Sequence, residues 1–251
     1  MPAVSSCGYA YGFGNFKGTV NSVATQAIIN IDAVNSTQTV VNATTRTLSN
    51  LNTSYPTYTY TFRNATFPTG YMEFASASSS YGYNTTSLLS IATAASWRET
   101  KEMWIWVASG SLGNNGTVLS EQGTTTIDGG WFDSHVEIVT NILKVGIWNG
   151  SMIQTQVASG LTQGVWHHVV WRYNGTTLDA YLDGVKATGI TTGRQTPTNG
   201  LYYFIGSGTA TNMGSGKYFD GRVAVYRYYN YALSDAQVVA SFAADRGRFG
   251  V

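Results

Sequence analysis

The chain has 251 residues, of which 11% are charged, and its 14 basic and 13 acidic residues leave a formal net charge of +1. This balance, without a basic stripe, argues against nucleic acid as a partner. No apolar run approaches the roughly 20 residues that insert across a membrane. The single cysteine, Cys7, excludes an internal disulfide framework. Hydrophobic residues make up 43% of the chain. The chain is rich in aromatic and β-branched residues and poor in Lys, Glu and Arg, which together predict a large all-β core.

Residues 1–24 are rich in Gly, Ser and aromatic side chains and predict an N-terminal arm that packs against its own domain or a neighbouring subunit. The first residues lack a basic region and an apolar region, so we expect no signal peptide. Asn-x-Ser/Thr triplets point instead to a secreted surface, although a chain so rich in Ser and Thr also forms them by chance. The eight triplets begin at Asn35, Asn42, Asn52, Asn64, Asn84, Asn115, Asn149 and Asn174.

Short β-type runs separated by turn residues occupy the rest of the chain. They lie at 27–33, 57–62, 71–74, 103–107, 136–139, 143–148, 166–171, 178–182, 202–205 and 221–228. The pairs Asn149-Gly150, Asn174-Gly175 and Asp183-Gly184 favour tight hairpins and therefore antiparallel neighbours. Near the C-terminus, Ser234 and Gln237 predict a capping box that begins one helix, which Gly247 ends. No repeat or linker divides residues 25–251, which predicts one domain.

Two stretches resemble the laminin-G-like branch of the concanavalin A-like lectin/glucanase superfamily. Residues 164–186 carry a Trp-His strand, an Asn-Gly hairpin and a returning strand that ends in Asp-Gly. Residues 219–235 carry a closing strand followed by an Ala-Leu-Ser helix start. The resemblance implies a concanavalin-type jelly-roll sandwich of two antiparallel sheets with one short C-terminal helix. The tail, residues 242–250, is similar to the ending of members encoded by phages and large DNA viruses.

Some members of this superfamily hydrolyse polysaccharides, and a retaining hydrolase needs two carboxyl groups about 5 Å apart. The acidic residues never form the pattern Glu-x-Asp-x-Glu. Asp133 and Glu137, with His135 between them, come nearest, and we interpret them as a loop followed by a solvated strand face. Asp179 and Asp183 also share a strand face, but Asp183 belongs to a hairpin turn. We therefore expect no enzymatic activity.

Members that act as lyases place a Gln-x-His strand on the concave sheet, and this chain lacks that strand. His167 and His168 are better explained as structural residues, with His168 on the same strand face as Trp166 and Val170. A polysaccharide hydrolase or lyase is thus the least favoured of three alternatives.

Calcium is the ion that the resemblance implies, because relatives bind it through loop carboxylates and backbone carbonyls. Asp128 and Asp133 are the candidate ligands, although the fold does not require the ion. Where many relatives carry an acidic pair on the closing strand, this chain has Ala224 and Val225, which weakens any acidic function there.

Aromatic side chains at strand ends or beside turns are the candidate contacts to a glycan or a protein partner, because their rings stack on apolar surfaces and their polar atoms form hydrogen bonds. The candidates are Trp131, Phe132, Trp148, Tyr202 and Tyr203.

The favoured hypothesis is a non-catalytic structural protein at the surface of a virus particle, synthesised in the host cytoplasm as a component of a capsid or an appendage. Its partners are then other virion proteins, copies of itself and cell-surface glycans for host attachment. The runner-up is a secreted or cell-surface, lectin-like carbohydrate-binding module, which the eight Asn-x-Ser/Thr triplets support.

Overall fold

A computed structural model describes residues 21–91, 97–109, 114–127, 134–158, 161–187, 189–197, 200–208 and 218–251. These residues form two antiparallel sheets and one C-terminal helix, which confirms the predicted jelly-roll sandwich. Only the last four residues of the predicted arm are described. There, the Asn21 side chain donates hydrogen bonds to Ser241 Oγ at 3.0 Å and to Asp245 Oδ2 at 3.2 Å, and it thereby contacts the helix. The packing of residues 1–20 stays a prediction.

In chain order the elements are β1 (Ile29–Asp32), β2 (Gln38–Asn42), β3 (Thr45–Leu48), β4 (Tyr60–Arg63), β5 (Met72–Phe74), β6 (Tyr81–Asn84), β7 (Glu99–Val107), β8 (Asn114–Gln122), β9 (Ser134–Val139), β10 (Ile142–Trp148), β11 (Met152–Ala158), β12 (Trp166–Tyr173), β13 (Thr177–Leu182), β14 (Val185–Lys186), β15 (Ile190–Thr191), β16 (Tyr202–Ile205), β17 (Gly221–Tyr229) and α1 (Asp235–Phe249). Two short 3₁₀ helices cover Ala24–Gln26 and Ser76–Ser78. No helix in the described ranges is long and apolar enough to cross a membrane.

Sheet A has eight strands in the order β1-β17-β7-β12-β13-β14, with β5 added beside β17 and β15 beside β13. Sheet B has nine strands in the order β11-β10-β9-β8-β16-β6-β4-β3-β2. All three predicted hairpins are confirmed, since β10–β11, β12–β13 and β13–β14 pair as neighbours. Gly150 and Gly184 in these turns have φ angles of 111° and 77°, which side chains with a Cβ rarely adopt.

Alternate side chains of the two sheets face each other and form one apolar core. Among its fully buried members are Ile31, Tyr60, Phe62, Met103, Ile105, Val136, Val145, Trp171, Ile205 and Tyr226. Because successive strand residues point to opposite faces, their sequence neighbours lie on the outer faces of the sandwich.

The C-terminal helix begins at the predicted capping box, in which Ser234 Oγ accepts from the backbone N–H of Gln237. The prediction that it ends at Gly247 is wrong. The helix continues to Phe249, and Gly250, with φ 71°, forms its C-cap. The two additional residues are held by packing, because the Phe249 ring stacks on Trp104 with centroids 4.1 Å apart.

A buried carboxylate fastens this helix to the outer face of sheet A. Glu102 Oε1 accepts from Arg227 Nη1 and from Ser241 Oγ, both at 2.6 Å, and from His168 Nε2 at 3.1 Å. Glu102 Oε2 accepts from the Tyr229 hydroxyl at 2.9 Å. Burial alone would raise the pKa of Glu102, but the Arg227 charge together with the contacts to His168 and Ser241 outweighs burial and holds that pKa well below the ordinary 4.5. His168 is therefore structural, as the sequence predicts.

An apolar cluster beside Glu102 explains the departure from the family pattern on the closing strand. A register shift between Val223 and Val225 places Ala224 and Val225 together against Trp104. Phe242 and Phe249 of the helix cover this cluster. An acidic pair at these two positions would be buried beneath aromatic rings, where an unpaired charge is costly.

A second charged network lies in the interior between the sheets. Lys101 Nζ is 2.9 Å from Glu99 Oε1, 3.3 Å from Glu121 Oε2 and 3.6 Å above the centroid of the Trp171 ring. Arg194 pairs with both glutamates, and its Nη2 lies 2.5 Å from Glu121 Oε1. Burial raises the pKa of Glu99, but the charges of Arg194 and Lys101 together lower it to about 2.

Strand β2 forms one edge of sheet B, and all five of its residues are exposed. Val40 and Val41 on this strand are 63% and 57% exposed. The pairing with β3 shifts register between Val40 and Asn42. At that point Arg46 Nη1 donates to the backbone carbonyl of Asn42 at 2.5 Å.

Replacing Arg227 with Met should lower the free energy of unfolding by about 3–5 kcal/mol, because Glu102 then keeps a buried charge without its cation. The matched control is Arg222→Met, since the Arg222–Glu73 pair, 3.0 Å apart, is partly exposed and should contribute about 1 kcal/mol or less. Urea denaturation followed by tryptophan fluorescence measures both. Equal losses in the two variants would show that Glu102 does not depend on Arg227.

Lowering the pH from 4.5 towards 2 should progressively reduce the stability that Glu99 contributes. Its pKa is lowered in the folded state, so this contribution is fully present above the ordinary value of 4.5 and is lost as the pH falls towards about 2. The urea midpoint of the Glu99→Gln variant should therefore depend less on pH across this interval than that of the wild-type chain. Parallel slopes in the two proteins would contradict the assignment.

Candidate functional site

The outer face of sheet B carries a row of side chains that crosses six strands, from β11 to β6. Paired positions in the sheet place these residues side by side, and their side chains point away from the core. In order, the row is Gln154, Gly146, His135, Ser120, Phe204 and Tyr83.

The polar half of the row is centred on His135. Gln154 Nε2 donates to Glu137 Oε1 at 2.7 Å and lies 3.0 Å from His135 Nε2. Because an amide N–H can only donate, His135 Nε2 is the acceptor in this contact. Gly146 makes room for it, since a Cβ at that position would lie 2.2 Å from His135 Cε1. The cluster is a fixed arrangement of one imidazole, one carboxylate and one amide, of which the first two are fully buried. The prediction that Glu137 lies on a solvated strand face is therefore wrong, because the carboxylate is enclosed with His135 and Gln154.

The aromatic half of the row, Phe204 and Tyr83, is joined by a third ring, Tyr81, of the same strand as Tyr83. Phe204 is buried, with its centroid 5.8 Å from that of Tyr81 and 5.4 Å from that of Tyr83, at interplanar angles of 23° and 19°. Tyr81 and Tyr83 are half-buried, so part of each ring meets solvent. A hydrogen bond to Tyr83 raises the pKa of the exposed Arg63 above its ordinary value. These three rings, with Arg63, are the aromatic platform of the outer face of sheet B.

Three of the aromatic residues predicted from the sequence fall within the described residues. Trp148 and Tyr202 are half-buried. Both lie on the outer face of sheet B, two positions along their strands from Gly146 and Phe204. Trp148 Nε1 donates to Gln195 Oε1 at 2.6 Å. Tyr203 instead points into the core, is fully buried and donates its hydroxyl to Glu99 Oε2 at 2.8 Å. Its ring has no face open to a ligand, which corrects that prediction.

Trp131, Phe132, Asp128 and Asp133 lie outside the described residues, so the aromatic contacts and calcium ligands predicted there stay predictions. Within the described residues, no group of three or more His, Cys, Asp or Glu side chains is arranged to hold a metal ion.

The acidic pair of β13 and its turn has structural partners. Asp179 is buried and forms a salt bridge with Arg172, whose Nη2 lies 2.5 Å from Asp179 Oδ2. Asp183 Oδ1 accepts from the backbone N–H of His168 at 2.8 Å. Asp183 Oδ2 lies within hydrogen-bond distance of His167 Nδ1, also at 2.8 Å. Each carboxylate therefore fixes a hairpin, which the sequence predicts for Asp183.

Tyr81, Tyr83 and Gln154 were not predicted from the sequence. The alternation Tyr81-Gly82-Tyr83 is a signal for a short strand with two rings on one face, and it was available in the sequence. Gln154 gave no such signal, because its partners His135 and Glu137 lie 19 and 17 positions away.

A family model of the concanavalin A-like lectin/glucanases superfamily, Laminin_G_3, matches residues 78–239. The match covers more than half of the chain, which therefore belongs to this superfamily, and the predicted membership of the superfamily is confirmed. A comparison with curated proteins gave no match.

Solved structures with a similar fold come from several kinds of protein. A botulinum neurotoxin type C structure has a TM-score of 0.62 at 11% identity over 88% of this chain and 52% of its own. Trypanosoma rangeli sialidase also has a TM-score of 0.62 at 11% identity, over 88% of this chain and 33% of its own. The binding domain of Paraclostridial Mosquitocidal Protein 1 has a TM-score of 0.60 at 14% identity, over 88% and 52%. The chain thus spans about a third to a half of these proteins, and the similarity shows the shared fold.

Replacing Gly146 with Ala should lower the free energy of unfolding by about 1–3 kcal/mol, because the new Cβ displaces the buried His135 ring. Gly193→Ala is the matched control, since a Cβ there has nothing within 4 Å, and its effect should stay within about 0.5 kcal/mol. Chemical denaturation measures both, and the imidazole NMR signals of His135 should shift only in the Gly146 variant. An unchanged His135 spectrum in that variant would contradict the contact.

Proposed function

We propose that the chain binds carbohydrate without cleaving it, at the outer face of sheet B. The aromatic platform beside the His135 cluster is the observation that carries the proposal. The exposed parts of Tyr81 and Tyr83 offer apolar ring surface for the C–H face of a sugar, and their hydroxyls can exchange hydrogen bonds with sugar hydroxyls. A few polar groups fixed next to an aromatic surface are the usual composition of a small-molecule site.

The proteins with a similar fold support this ligand class. The botulinum neurotoxin type C structure concerns an interaction with two ganglioside molecules, and T. rangeli sialidase has been solved with sialic acid. Both ligands carry sugar rings.

The acidic side chains support binding rather than hydrolysis. Within the described residues, Glu137 is the one acidic side chain on the outer face of sheet B, whereas glycosidic hydrolysis ordinarily uses a pair of carboxyl groups. Glu137 is also fully buried and accepts a hydrogen bond from Gln154.

For the biological setting we propose the surface of a virus particle, where the domain contacts other virion proteins or copies of itself. The support is the tail at residues 242–250, which resembles the ending of viral members. The same segment contains Phe249, whose ring packs on Trp104. Mass spectrometry and labelling of purified particles test it. A protein recovered only outside particles would favour the alternative, a secreted lectin-like module.

The Asn-x-Ser/Thr triplets bear on that alternative. Asn35 and Asn42 are exposed and accessible to a glycosyltransferase. Asn84 is fully buried and accepts from the backbone N–H of Tyr203 at 2.6 Å, so the folded chain cannot be modified there. Glycans found at Asn35 and Asn42 of the natural protein would support secretion.

Replacing Tyr83 with Ala should weaken carbohydrate binding about tenfold or more, equivalent to about 1.4 kcal/mol, because the platform loses one accessible ring. A glycan array identifies a binding sugar, and calorimetry with that sugar measures the variant. Tyr55→Ala is the matched control, since this half-buried tyrosine also packs on a neighbouring ring, Tyr58, at 6.0 Å but lies outside the platform. An equal loss in both variants would indicate general destabilisation.

The same array ligands test the absence of catalysis. We expect no release of reducing sugar on prolonged incubation. Hydrolysis that disappears in a Glu137→Gln variant would overturn the non-catalytic half of the proposal.

A further inference from the structure

We propose that the rim of sheet A holds a second saccharide site, which takes one neutral sugar unit. A cavity of about 260 Å³ opens there between β5, β7, β17 and the segment that follows β4. This volume is slightly below the range of roughly 300–1,000 Å³ that is usual for drug-sized ligands, and it therefore suits a single sugar ring. The inference rests on the proposed function for its ligand class, but it uses residues on the opposite side of the sandwich.

The cavity arises from the order of small and large side chains on neighbouring strands. Asp220 lies in register between Ala75 and Ala108, as shown by the hydrogen bond of 3.3 Å from Ala108 N to the Asp220 carbonyl. In the next row, two positions along the strands, Glu73 and Trp106 stand on either side of Arg222. Two alanines therefore form a low floor beside a wall of large side chains.

Two oriented carboxylates line this cavity. Asp220 Oδ1 accepts from the backbone N–H of Ser76 at 2.6 Å, and its Oδ2 accepts from Ser76 Oγ at 2.7 Å. Glu73 Oε1 accepts from Arg222 Nε at 3.0 Å, and its Oε2 accepts from Thr66 Oγ1 at 3.3 Å. Each carboxylate oxygen can accept more than one hydrogen bond. Both groups are thus held in place while keeping capacity for sugar hydroxyls.

The aromatic wall is held in place as well. The Arg222 guanidinium lies 4.2 Å from the centroid of the Trp106 ring and 4.5 Å from that of Tyr71, so it is clamped between the two rings. Asn64 lines the cavity too, and its side chain donates to the Ser78 carbonyl at 3.0 Å. An indole ring with several fixed hydrogen-bond acceptors matches the apolar face and the hydroxyl groups of a pyranose.

The charges of the lining select among sugars. Among the described lining residues there are two carboxylates and no cation, which disfavours an anionic sugar such as sialic acid because like charges repel. Arg222 already pairs with Glu73, which reduces the attraction for a ligand cation. A neutral hexose unit with neighbouring hydroxyl groups is the ligand that this lining fits.

The test is NMR titration of the full chain with a panel of methyl hexopyranosides in the millimolar range, read at the indole N–H signal of Trp106, which a Trp106→Phe variant assigns. Ala108→Leu fills the floor of the cavity and should weaken the Trp106 response about tenfold or more. Ala243→Leu, the same exchange on the exposed side of helix α1, should leave it unchanged. Tyr83→Ala should also leave it unchanged, because the platform lies on the other sheet.

The remaining outcomes separate this inference from the proposed function. A Trp106 response that persists in Ala108→Leu, or one that sialic acid or lysine methyl ester produces more strongly than any hexoside, overturns the second site. Saccharide binding that Tyr83→Ala abolishes while Trp106 never responds overturns the second site and retains the proposed function. A complete lack of saccharide binding on either face overturns both.

Discussion

The buried ion pair between Arg227 and Glu102 is the interaction on which the difference between the two faces of this sandwich depends. It fixes helix α1 to the outer face of sheet A, together with the hydrogen bond from Ser241 to the same carboxylate. Charges removed from water are tolerated only when their partners are complete, and here Glu102 has four. The helix covers the centre of the outer face of sheet A, so the rim is the part of that face that it leaves uncovered. Sheet B instead presents its aromatic platform across the middle of its outer face.

Much of the fold could be predicted from local sequence signals. Asn-Gly and Asp-Gly pairs predict hairpins because tight turns require backbone conformations that these residues adopt. The capping box predicts the start of the helix for a similar local reason. Strand β8 escaped prediction because it is largely polar: its Glu121 is buried by Lys101 and Arg194, which lie 20 and 73 positions away. The end of the helix was misplaced for the same kind of reason, since Phe249 is held by Trp104, a residue far earlier in the chain.

In the candidate site, too, contacts with residues distant in the chain decide what local sequence could not predict. Tyr202 and Tyr203 are adjacent and chemically alike, and alternation requires that they point to opposite faces of the strand. Only the partner of Tyr203, the distant Glu99, decides which of the two belongs to the core. The sequence therefore identified the aromatic strand but not its exposed residue. Tyr81 and Tyr83 were missed because the glycine between them, which lies over the Phe62 ring, weakens the appearance of a strand.

The exposed edge strand β2 has a consequence for solubility. Within the described residues, this uncharged strand with two exposed valines is paired on one side only, so that another chain could extend it into a continuous sheet. The register shift at Val40 and Asn42 interrupts that template within five residues. The Arg46 guanidinium, bound to the carbonyl of Asn42, adds a positive charge at the same point. The molecule thus carries its own protection against edge-to-edge aggregation, in a chain whose net charge of +1 provides almost no general repulsion between copies.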